Sequence, residues 1–482
     1  MRHRLITNRL RDEEGIAMAF VVLMSAVLLL LSVVLIQVVS DDSTQANTSI
    51  QRGTALQAAE AGIDNYLSKL VDDNQYYLHD VAAGESTRQS GATTVAGSCS
   101  PTPTPATWTG STTWTYPNGQ DQWCPVGNGY EFNLQITAPS AGSQVVDIVS
   151  TGRETGTTSN YRKLEIEVRP SSVADFLMLT NSNYNVGSAA TTYGKIYAGE
   201  NATGTVKYNI NHQGTAYGNL YAEGTVTGSP TLAGGAQEYT GAAGTIRSVI
   251  KQPIDFSNFT TSLTDIKRAA DLNGSTFDLS NPAYNIYKLT FNSNGTVAIQ
   301  GCHYTSAPET TKPTSCTTIS GSPFTVPANG AIYSPVSIMI ADGTSTCGTP
   351  VITGNCVNGR VTVASNNDII VGTNIDYVQT GDDVLGLIAA NDVIVAQWAP
   401  YNLNWRAAVL AQNGARHSAS SDDSHGLATF TGSTTSNGSP YMDMFDQRVY
   451  NYDPSLQYLE PPWFPTINYA YTVLLYRELS AP

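Results

Sequence analysis

An uncharged apolar run near the start of the chain limits its fold and location more than any other feature. From Ile16 to Val39 no charged residue occurs. As a helix, these 24 residues would span about 36 Å, which exceeds the roughly 30 Å of a bilayer core. The residues before Asp12 carry arginines and no acid, whereas Asp41 and Asp42 follow the run. This asymmetry predicts a single membrane pass with the N-terminus in the cytoplasm and the C-terminus outside.

The helix is predicted to continue beyond the apolar run. Apolar residues recur after it at spacings of three and four, at Leu56, Ala59, Ile63, Leu67 and Leu70. This spacing keeps one helical face apolar, and no proline occurs before Pro101. The pattern therefore predicts one transmembrane and amphipathic helix over residues 16–78.

Three features of this region together resemble a type IV prepilin of the minor-pilin, PilX-like kind. They are a basic leader that ends in Gly15, an apolar helix directly after it, and the sequence Ala-Ala-Glu-Ala-Gly-Ile at Ala58–Ile63. The resemblance implies that residues 1–15 are a leader peptide, which a prepilin peptidase removes by cutting between Gly15 and Ile16. It also implies that the helix packs against other pilin subunits. The protein would lie in the inner membrane before assembly, and at the cell surface or in a pilus afterwards.

Two positions depart from the pilin pattern. Members of the family usually begin the mature chain with Phe or Met and carry Glu at its fifth position, where this chain has Ile16 and Phe20. A carboxylate in an apolar filament core needs a cation, which in typical pilins is the N-terminal ammonium of a neighbouring subunit. Without that carboxylate, the chain resembles tip or initiating components. An uncleaved signal anchor is the alternative interpretation of the same run.

Composition favours an exported, β-rich protein. Charged residues make up only 13% of the 482 residues, and glycine (41) and tyrosine (26) are frequent. The formal net charge is -15 and no long run of Lys or Arg occurs, so nucleic acid is not expected as a partner. The GxSxG, HExxH, Walker and Rossmann patterns are missing from the sequence, and we expect no enzymatic activity, cofactor or metal.

The cysteines suggest local disulfides. They fall into three neighbouring couples, which are Cys99 with Cys124, Cys302 with Cys316 and Cys347 with Cys356. Each couple closes a short loop rich in Gly, Ser, Thr or Pro, so local pairing is the simplest scheme for an exported protein. Only Cys302-His303 approaches the spacing of metal ligands.

Residues 79–170 are predicted to form a pilin-like antiparallel head. Three segments, at 130–136, 145–149 and 164–168, alternate apolar and polar residues as strands with one buried face do. A loop that precedes them is rich in tryptophan, at Trp108, Trp114 and Trp123. We favour a small local core for these tryptophans, and the alternative is a surface that binds sugar or a partner.

Short repeats follow over residues 171–435. Gly194–Ala198 recurs at Gly218–Ala222, and Asn367–Val371 recurs at Asn391–Val395, each at an offset of 24 residues. One apolar strand and one Asn, Asp or Gly turn per period predict a parallel β-solenoid. The aromatic segment 436–482 is predicted to cap it. The predicted fold class is therefore α+β, with a long pilin-type helix packed on a small antiparallel sheet and a mainly β, solenoid-like domain after it.

These features predict a structural minor or tip component of a type IV pilus or related filament, with adhesion to surface glycans as a variant. The alternative is a membrane-anchored extracellular carbohydrate-active enzyme on the solenoid. Its candidate residues are Asp382, Asp383, Asp392, Arg416, His417, Asp422, Asp423 and His425. Paired carboxylates can act as acid and base or bind calcium. Aspartates in turns rich in Gly, Ser and Thr more often accept bonds from their own backbone, and we favour that interpretation.

Overall fold

The computed structural model describes Met24 and residues 49–71, 113–116, 123–137, 145–157, 161–250, 253–254, 263–272, 277–304, 306–422 and 424–479. The predicted cleavage site at Gly15 and Ile16, and nearly all of the apolar run, lie outside these ranges. Within them, no helix is both long and apolar enough to cross a membrane. The described residues form two compact units. The first lies within 1–137, 147–166 and 475–482, and the second within 138–146 and 167–474.

Short strands dominate the described ranges. The α-helices are α1 (49–71) and α2 (Leu263–Leu272), and short 3-10 helices occur at Val173–Asp175, Ile246–Ser248 and Pro454–Gln457. The strands are β1 (Thr113–Tyr116), β2 (Cys124–Gly127), β3 (Tyr130–Thr137), β4 (Val146–Glu154), β5 (Arg162–Ser172), β6 (Met178–Thr180), β7 (Tyr184–Val186), β8 (Ala190–Tyr193), β9 (Ile196–Ala198), β10 (Ile210–His212), β11 (Thr215–Ala216), β12 (Leu220–Ala222), β13 (Val226–Thr227), β14 (Thr231–Leu232), β15 (Glu238–Thr240), β16 (Ile286–Asn292), β17 (Thr296–Cys302), β18 (Cys316–Thr318), β19 (Phe324–Thr325), β20 (Ala331–Ser334), β21 (Ser337–Ile340), β22 (Ser345–Cys347), β23 (Ile352–Val357), β24 (Arg360–Ser365), β25 (Ile369–Val371), β26 (Ile375–Tyr377), β27 (Val384–Ala389), β28 (Val393–Val395), β29 (Leu403–Ala411), β30 (Arg416–Ser418), β31 (His425–Ser436), β32 (Phe445–Tyr452) and β33 (Thr466–Leu479).

The predicted α+β class, built on a long pilin-type helix, is wrong. Strands hold 47% and helices 12% of the structure, so the protein is mainly β. The long helical period of the sequence occurs before residue 79, and α2 adds only ten residues after it. The Gly, Thr and Asn turns after residue 171 instead divide the chain into short strands, and these outweigh the helix.

The first unit contains α1 and strands of a six-stranded sheet with the order β1-β3-β4-β5-β33, in which β2 also pairs with β3. The β1–β3, β2–β3 and β3–β4 pairs are antiparallel. Small residues allow α1 close to β4, because a Cβ at Gly152 would lie 2.1 Å from the Ala55 carbonyl oxygen. The Ser150 hydroxyl donates to the Ala59 carbonyl at 2.7 Å. Both contacts depend on glycine or a small polar side chain.

The second unit is a coil of parallel strands arranged in three ladders. Ladder A has the order β20-β24-β27-β29-β31-β6-β9-β12-β15. Ladder B contains β16-β21-β25-β28-β30 and, separately, β7-β10-β13. Ladder C has the order β23-β26-β29-β31-β32-β8-β11-β14. Repeats 24 residues apart lie on adjacent coils, so Tyr197 pairs with Tyr221 and Ile370 pairs with Ile394.

The coils are not stacked in the order of the sequence. The coils that begin with β6 follow those that end with β31 and β32, so Thr434 pairs with Met178 and Val449 pairs with Thr191. The Thr180 hydroxyl donates to the Gly438 carbonyl across a separation of 258 residues. The solenoid is therefore continuous only when the coil of β31 and β32, late in the sequence, pairs with the coil of β6 and β8, early in the sequence. Bringing together strands so far apart in the chain has a high entropic cost of loop closure.

The aromatic segment 436–482, predicted as a cap, is divided among three places. Strand β32 lies inside ladder C between β31 and β8, and β33 belongs to the six-stranded sheet. Residues between them cover the outer side of ladder A, where the Thr362 hydroxyl donates to the Pro462 carbonyl and a Cβ at Gly386 would touch Pro461. Strand β27 is thus buried on both sides, which explains why Val384–Ala389 is apolar without alternation.

Two of the three predicted local disulfides are present. Cys302 is bonded to Cys316, and Cys347 to Cys356. Cys124 is also disulfide-bonded, and Cys99 lies outside the described residues. The two bonded pairs join β17 to β18 and β22 to β23, which are antiparallel neighbours near one end of the solenoid.

Candidate functional site

Arg416 and His417, predicted as neighbours in one site, point to opposite sides of ladder B. Arg416 is fully buried inside the solenoid, whereas His417 lies on the outer side, where its ring stacks on Tyr441 at 5.0 Å. Successive residues of a strand alternate between its two faces, so the side chains of Arg416 and His417 cannot belong to one catalytic site. The His417 ring instead approaches a carboxylate of the preceding coil, with Nε2 3.8 Å from Asp392 Oδ1.

Among the other predicted acidic residues, Asp383 caps a turn. Asp383 is buried, and its two carboxylate oxygens accept bonds from the Gly359 and Gln379 amides, each at 2.6 Å. Asp382 and Asp422 are exposed, and Asp423 lies outside the described residues. Asp383 follows the turn interpretation, because a carboxylate that caps backbone amides stabilises a tight turn.

His425 is also committed to local contacts. It is 8% exposed, with Nε2 3.1 Å from the Ala399 carbonyl oxygen and Nδ1 2.9 Å from the Ser424 hydroxyl. Both ring nitrogens therefore have partners within the protein. The structure does not bring His425 and Asp422 into a shared acid–base pair.

The outer corner of ladder B does bring some predicted residues together. Asp368 accepts a bond from the Asp392 amide at 3.1 Å, and Asp392 accepts one from the Ala415 amide at 2.7 Å. Burial raises the pKa of Asp368, and repulsion from the nearby carboxylates of Asp392 and Glu309 adds to the shift. The carboxylates of this corner thus cap successive coils. Among the described residues, no group of acidic, His or Cys side chains could hold a metal ion.

An uncharged row lies on the outer side of ladder C, and sequence reasoning missed it. Six side chains share one register position on successive strands, namely Asn404, Thr429, Val449, Thr191, Thr215 and Thr231. Parallel strands lie about 4.8 Å apart, so the row spans roughly 24 Å. Their inward neighbours, such as Phe430 and Tyr450, are buried. We call this surface, with the tyrosines described next, the outer face of ladder C.

Two tyrosines extend this face two positions farther along β8 and after β11. Tyr193 and Tyr217 are 42% and 45% exposed, and their rings stack at 4.5 Å with an interplanar angle of 11°. The stacked rings present a flat aromatic surface that is partly open to solvent. The outer face of ladder C therefore combines hydroxyl and amide groups with a flat aromatic platform.

A buried ionic cluster joins the start of the solenoid to the segment before β33. The Arg169 guanidinium is 1% exposed and contacts carboxylates of both Asp175 and Glu460, the latter at 2.7 Å. It also donates to the Gln457 and Pro170 carbonyls at 2.5 and 2.9 Å. Burial raises the pKa of Glu460 to about 8, against the opposing effect of Arg169. A cavity of about 250 Å³ adjoins the cluster, but each Arg169 nitrogen already donates within the protein, so the cluster serves structure.

No family model matches this chain, and no curated protein matches it. Among solved structures, the chain is similar to the competence-associated pilin ComZ from Thermus thermophilus, with 12% identity and a TM-score of 0.29 over 89% of this chain and 97% of that one. It is also similar to a domain of an ice-binding protein from Shewanella frigidimarina, with 10% identity and a TM-score of 0.24 over 58% and 99% of the two chains. At such low TM-scores, neither likeness supports an argument about fold or function.

Proposed function

We propose that this chain is a structural component of a type IV pilus or a related filament, at a minor or tip position. The observation that carries the proposal is the basic leader ending in Gly15, followed directly by the uncharged run from Ile16 to Val39. A signal that is only removed would have a shorter apolar core and small residues at its end, whereas this run has 24 residues and is followed by Asp41 and Asp42. The missing carboxylate at Phe20 favours a minor or tip position over the repeating shaft.

The proposal gives the chain a membrane stage and an assembled stage. The N-terminal run would cross the inner membrane once, with the solenoid outside, until prepilin peptidase exposes Ile16. Other pilin subunits would then replace lipid around the apolar helix. The disulfides Cys302–Cys316 and Cys347–Cys356 agree with an oxidising compartment outside the cytoplasm.

We expect Gly15→Val to block processing and filament incorporation, because a branched side chain replaces the residue at which the peptidase cuts. The measurement is the mature N-terminus by mass spectrometry, together with co-sedimentation of the protein with sheared filaments. Wild type should begin at Ile16 and sediment with fibres, whereas the variant should retain Met1 and stay in the membrane. Gly53→Ala is the matched control, because a Cβ at Gly53 meets no other atom within 4 Å. Normal size and assembly of Gly15→Val would refute the proposal.

A second candidate function is adhesion through the outer face of ladder C. This face carries hydroxyls, amides and the exposed Tyr193–Tyr217 pair, and its row has no charged side chain. Sugar rings stack their C–H groups on aromatic faces and exchange hydrogen bonds with hydroxyls and amides, so a neutral glycan fits this chemistry. The enzyme alternative has less support, because its predicted residues are dispersed or cap turns.

We expect the double substitution Tyr193→Ser and Tyr217→Ser to weaken binding to insoluble chitin or cellulose at least tenfold, a loss of about 1.4 kcal/mol. Pull-down with the purified full chain measures the bound fraction. Tyr458→Ser is the control, because Tyr458 is 55% exposed and lies beside Gln457 and Leu474, away from the ladder C row. Equal binding by wild type and the double variant would exclude this face as the adhesive surface.

A further inference from the structure

A guanidinium occupies an interior position that earlier coils fill with aliphatic side chains. Along ladder B, Ile338 pairs with Ile369, Ile369 with Val393 and Val393 with Arg416. All of these residues, including Arg416, are fully buried. The guanidinium and its positive charge therefore lie in the core of the solenoid.

Arg416 has no ion pair with any described residue. Its Nη2 atom lies 3.7 Å from the Met178 sulfur, and its Nε and Nη1 atoms have no hydrogen-bond acceptor in the described part of the chain. Aromatic rings surround it instead, with the guanidinium carbon 5.0 Å from the Phe430 ring, 5.1 Å from Tyr450 and 6.0 Å from Trp405. Such cation–π contacts offset part of the desolvation cost but leave the charge and two N–H groups without a counterpart.

Other buried donors around this position also have no partner. The Trp405 indole nitrogen and the Thr434 hydroxyl are buried without hydrogen bonds to described residues. The Trp405 ring faces the guanidinium, and Thr434 pairs with Met178, whose sulfur contacts Arg416. Arginine and tryptophan side chains can only donate hydrogen bonds, so they cannot satisfy each other. The missing group must accept.

The nearby phenols do not supply the negative charge. Burial raises the pKa of both Tyr184 and Tyr450. The attraction of Arg416, and for Tyr450 a hydrogen bond with the Arg416 side chain, oppose that rise without reversing it. Both hydroxyls are therefore neutral at physiological pH. An acceptor that also carries one negative charge would satisfy the unpaired N–H groups and neutralise the core.

We propose that Arg416 holds a small monovalent anion of chloride size inside the solenoid. A single charge balances one guanidinium, whereas a phosphate or sulfate would leave excess negative charge among the rings of Trp405, Phe430 and Tyr450. The anion lies where the coil of β30 meets β6, because Arg416 also contacts Met178. It therefore stabilises the junction at which the N-terminal coils stack on the last coil.

The proposal is tested by halide-dependent stability and by crystallography of the full-length chain. At constant ionic strength, we expect the thermal midpoint to rise by several degrees and saturate as sodium chloride replaces sodium gluconate, since a ligand of the folded state stabilises it. Arg416→Met should remove this dependence. Arg406→Met is the control and should retain it, because Arg406 is already balanced by Asp376 at 3.0 Å and Asp453 at 3.3 Å.

Crystals of the wild-type chain grown in sodium bromide test whether an anion binds at Arg416, even if Arg416→Met does not fold. We expect an anomalous bromide peak within hydrogen-bond distance of Arg416 Nε or Nη1. Water oxygens at these atoms and no bromide would overturn the proposal. An unchanged chloride dependence in a folded Arg416→Met variant would also overturn it.

Discussion

Arg169→Met is expected to lower the free energy of unfolding of the solenoid unit by about 3–5 kcal/mol. The guanidinium is buried, and it neutralises the Asp175 carboxylate and donates to Glu460 and to two backbone carbonyls. Methionine fills a similar volume, so the loss is chiefly electrostatic. A mostly buried Asp175 carboxylate would remain without its cation, together with two unpaired carbonyl groups. Urea unfolding followed by tryptophan fluorescence measures the change.

Two further variants separate this electrostatic loss from a packing loss. Arg169→Met combined with Asp175→Asn should recover part of the stability, because the uncompensated carboxylate is then removed. Lys312→Met is a control from an exposed ion pair of the same unit, since Lys312 is 40% exposed beside Asp342, and it should cost less than 1 kcal/mol. An Arg169→Met protein within 1 kcal/mol of wild type would contradict the assigned role.

The sequence predicts the repeat length of the coils, but it does not predict which strands distant in the chain pair with each other. The offset of 24 residues between Gly194–Ala198 and Gly218–Ala222 is the length of one coil, so it directly indicates which residues stack. The pairing of Thr434 with Met178 has no such signal, because the two strands have different sequences and lie far apart in the chain. The sequence therefore predicts the repeating coil, but it does not predict that the first strands of the solenoid stack on strands from the end of the chain.

In the candidate sites too, local sequence predicts the contacts between neighbouring residues and not those between distant ones. The opposite directions of Arg416 and His417 follow from strand alternation, and that rule could have separated them at once. The contact between Arg169 and Glu460 spans 291 residues, and nothing near either residue indicates it. The helical pattern of α1 was clear, yet it led to the wrong fold class, because one helix was weighted above many short strands.

The charge balance of the buried cluster predicts which of its carboxyl groups holds a proton. Arg169 contacts both carboxylates and Arg360 also lowers the pKa of Glu460, but the Glu460 side chain is 4% exposed against 14% for Asp175. Burial therefore keeps Glu460 protonated, with a pKa of about 8 compared with 4.5 in the unfolded chain. Between these values the folded state binds one more proton than the unfolded state. Stability is thus fully present at low pH and falls as pH rises through this window.

We expect wild type to lose about 2 kcal/mol more unfolding free energy than Glu460→Gln between pH 6.5 and pH 8.5. The comparison cancels the opposite contribution of buried Lys69, whose pKa burial lowers to about 8 in both proteins. The amide keeps the shape and neutrality of the protonated acid, so its stability should approach that of wild type at the lower pH. Working above pH 6.5 avoids the opposite contribution of buried His212, whose pKa burial lowers to about 4 and whose protonation destabilises the fold in acid. Urea unfolding at several pH values gives both slopes. Equal slopes for the two proteins would show that Glu460 is already ionised in the folded state and that Arg169 balances it.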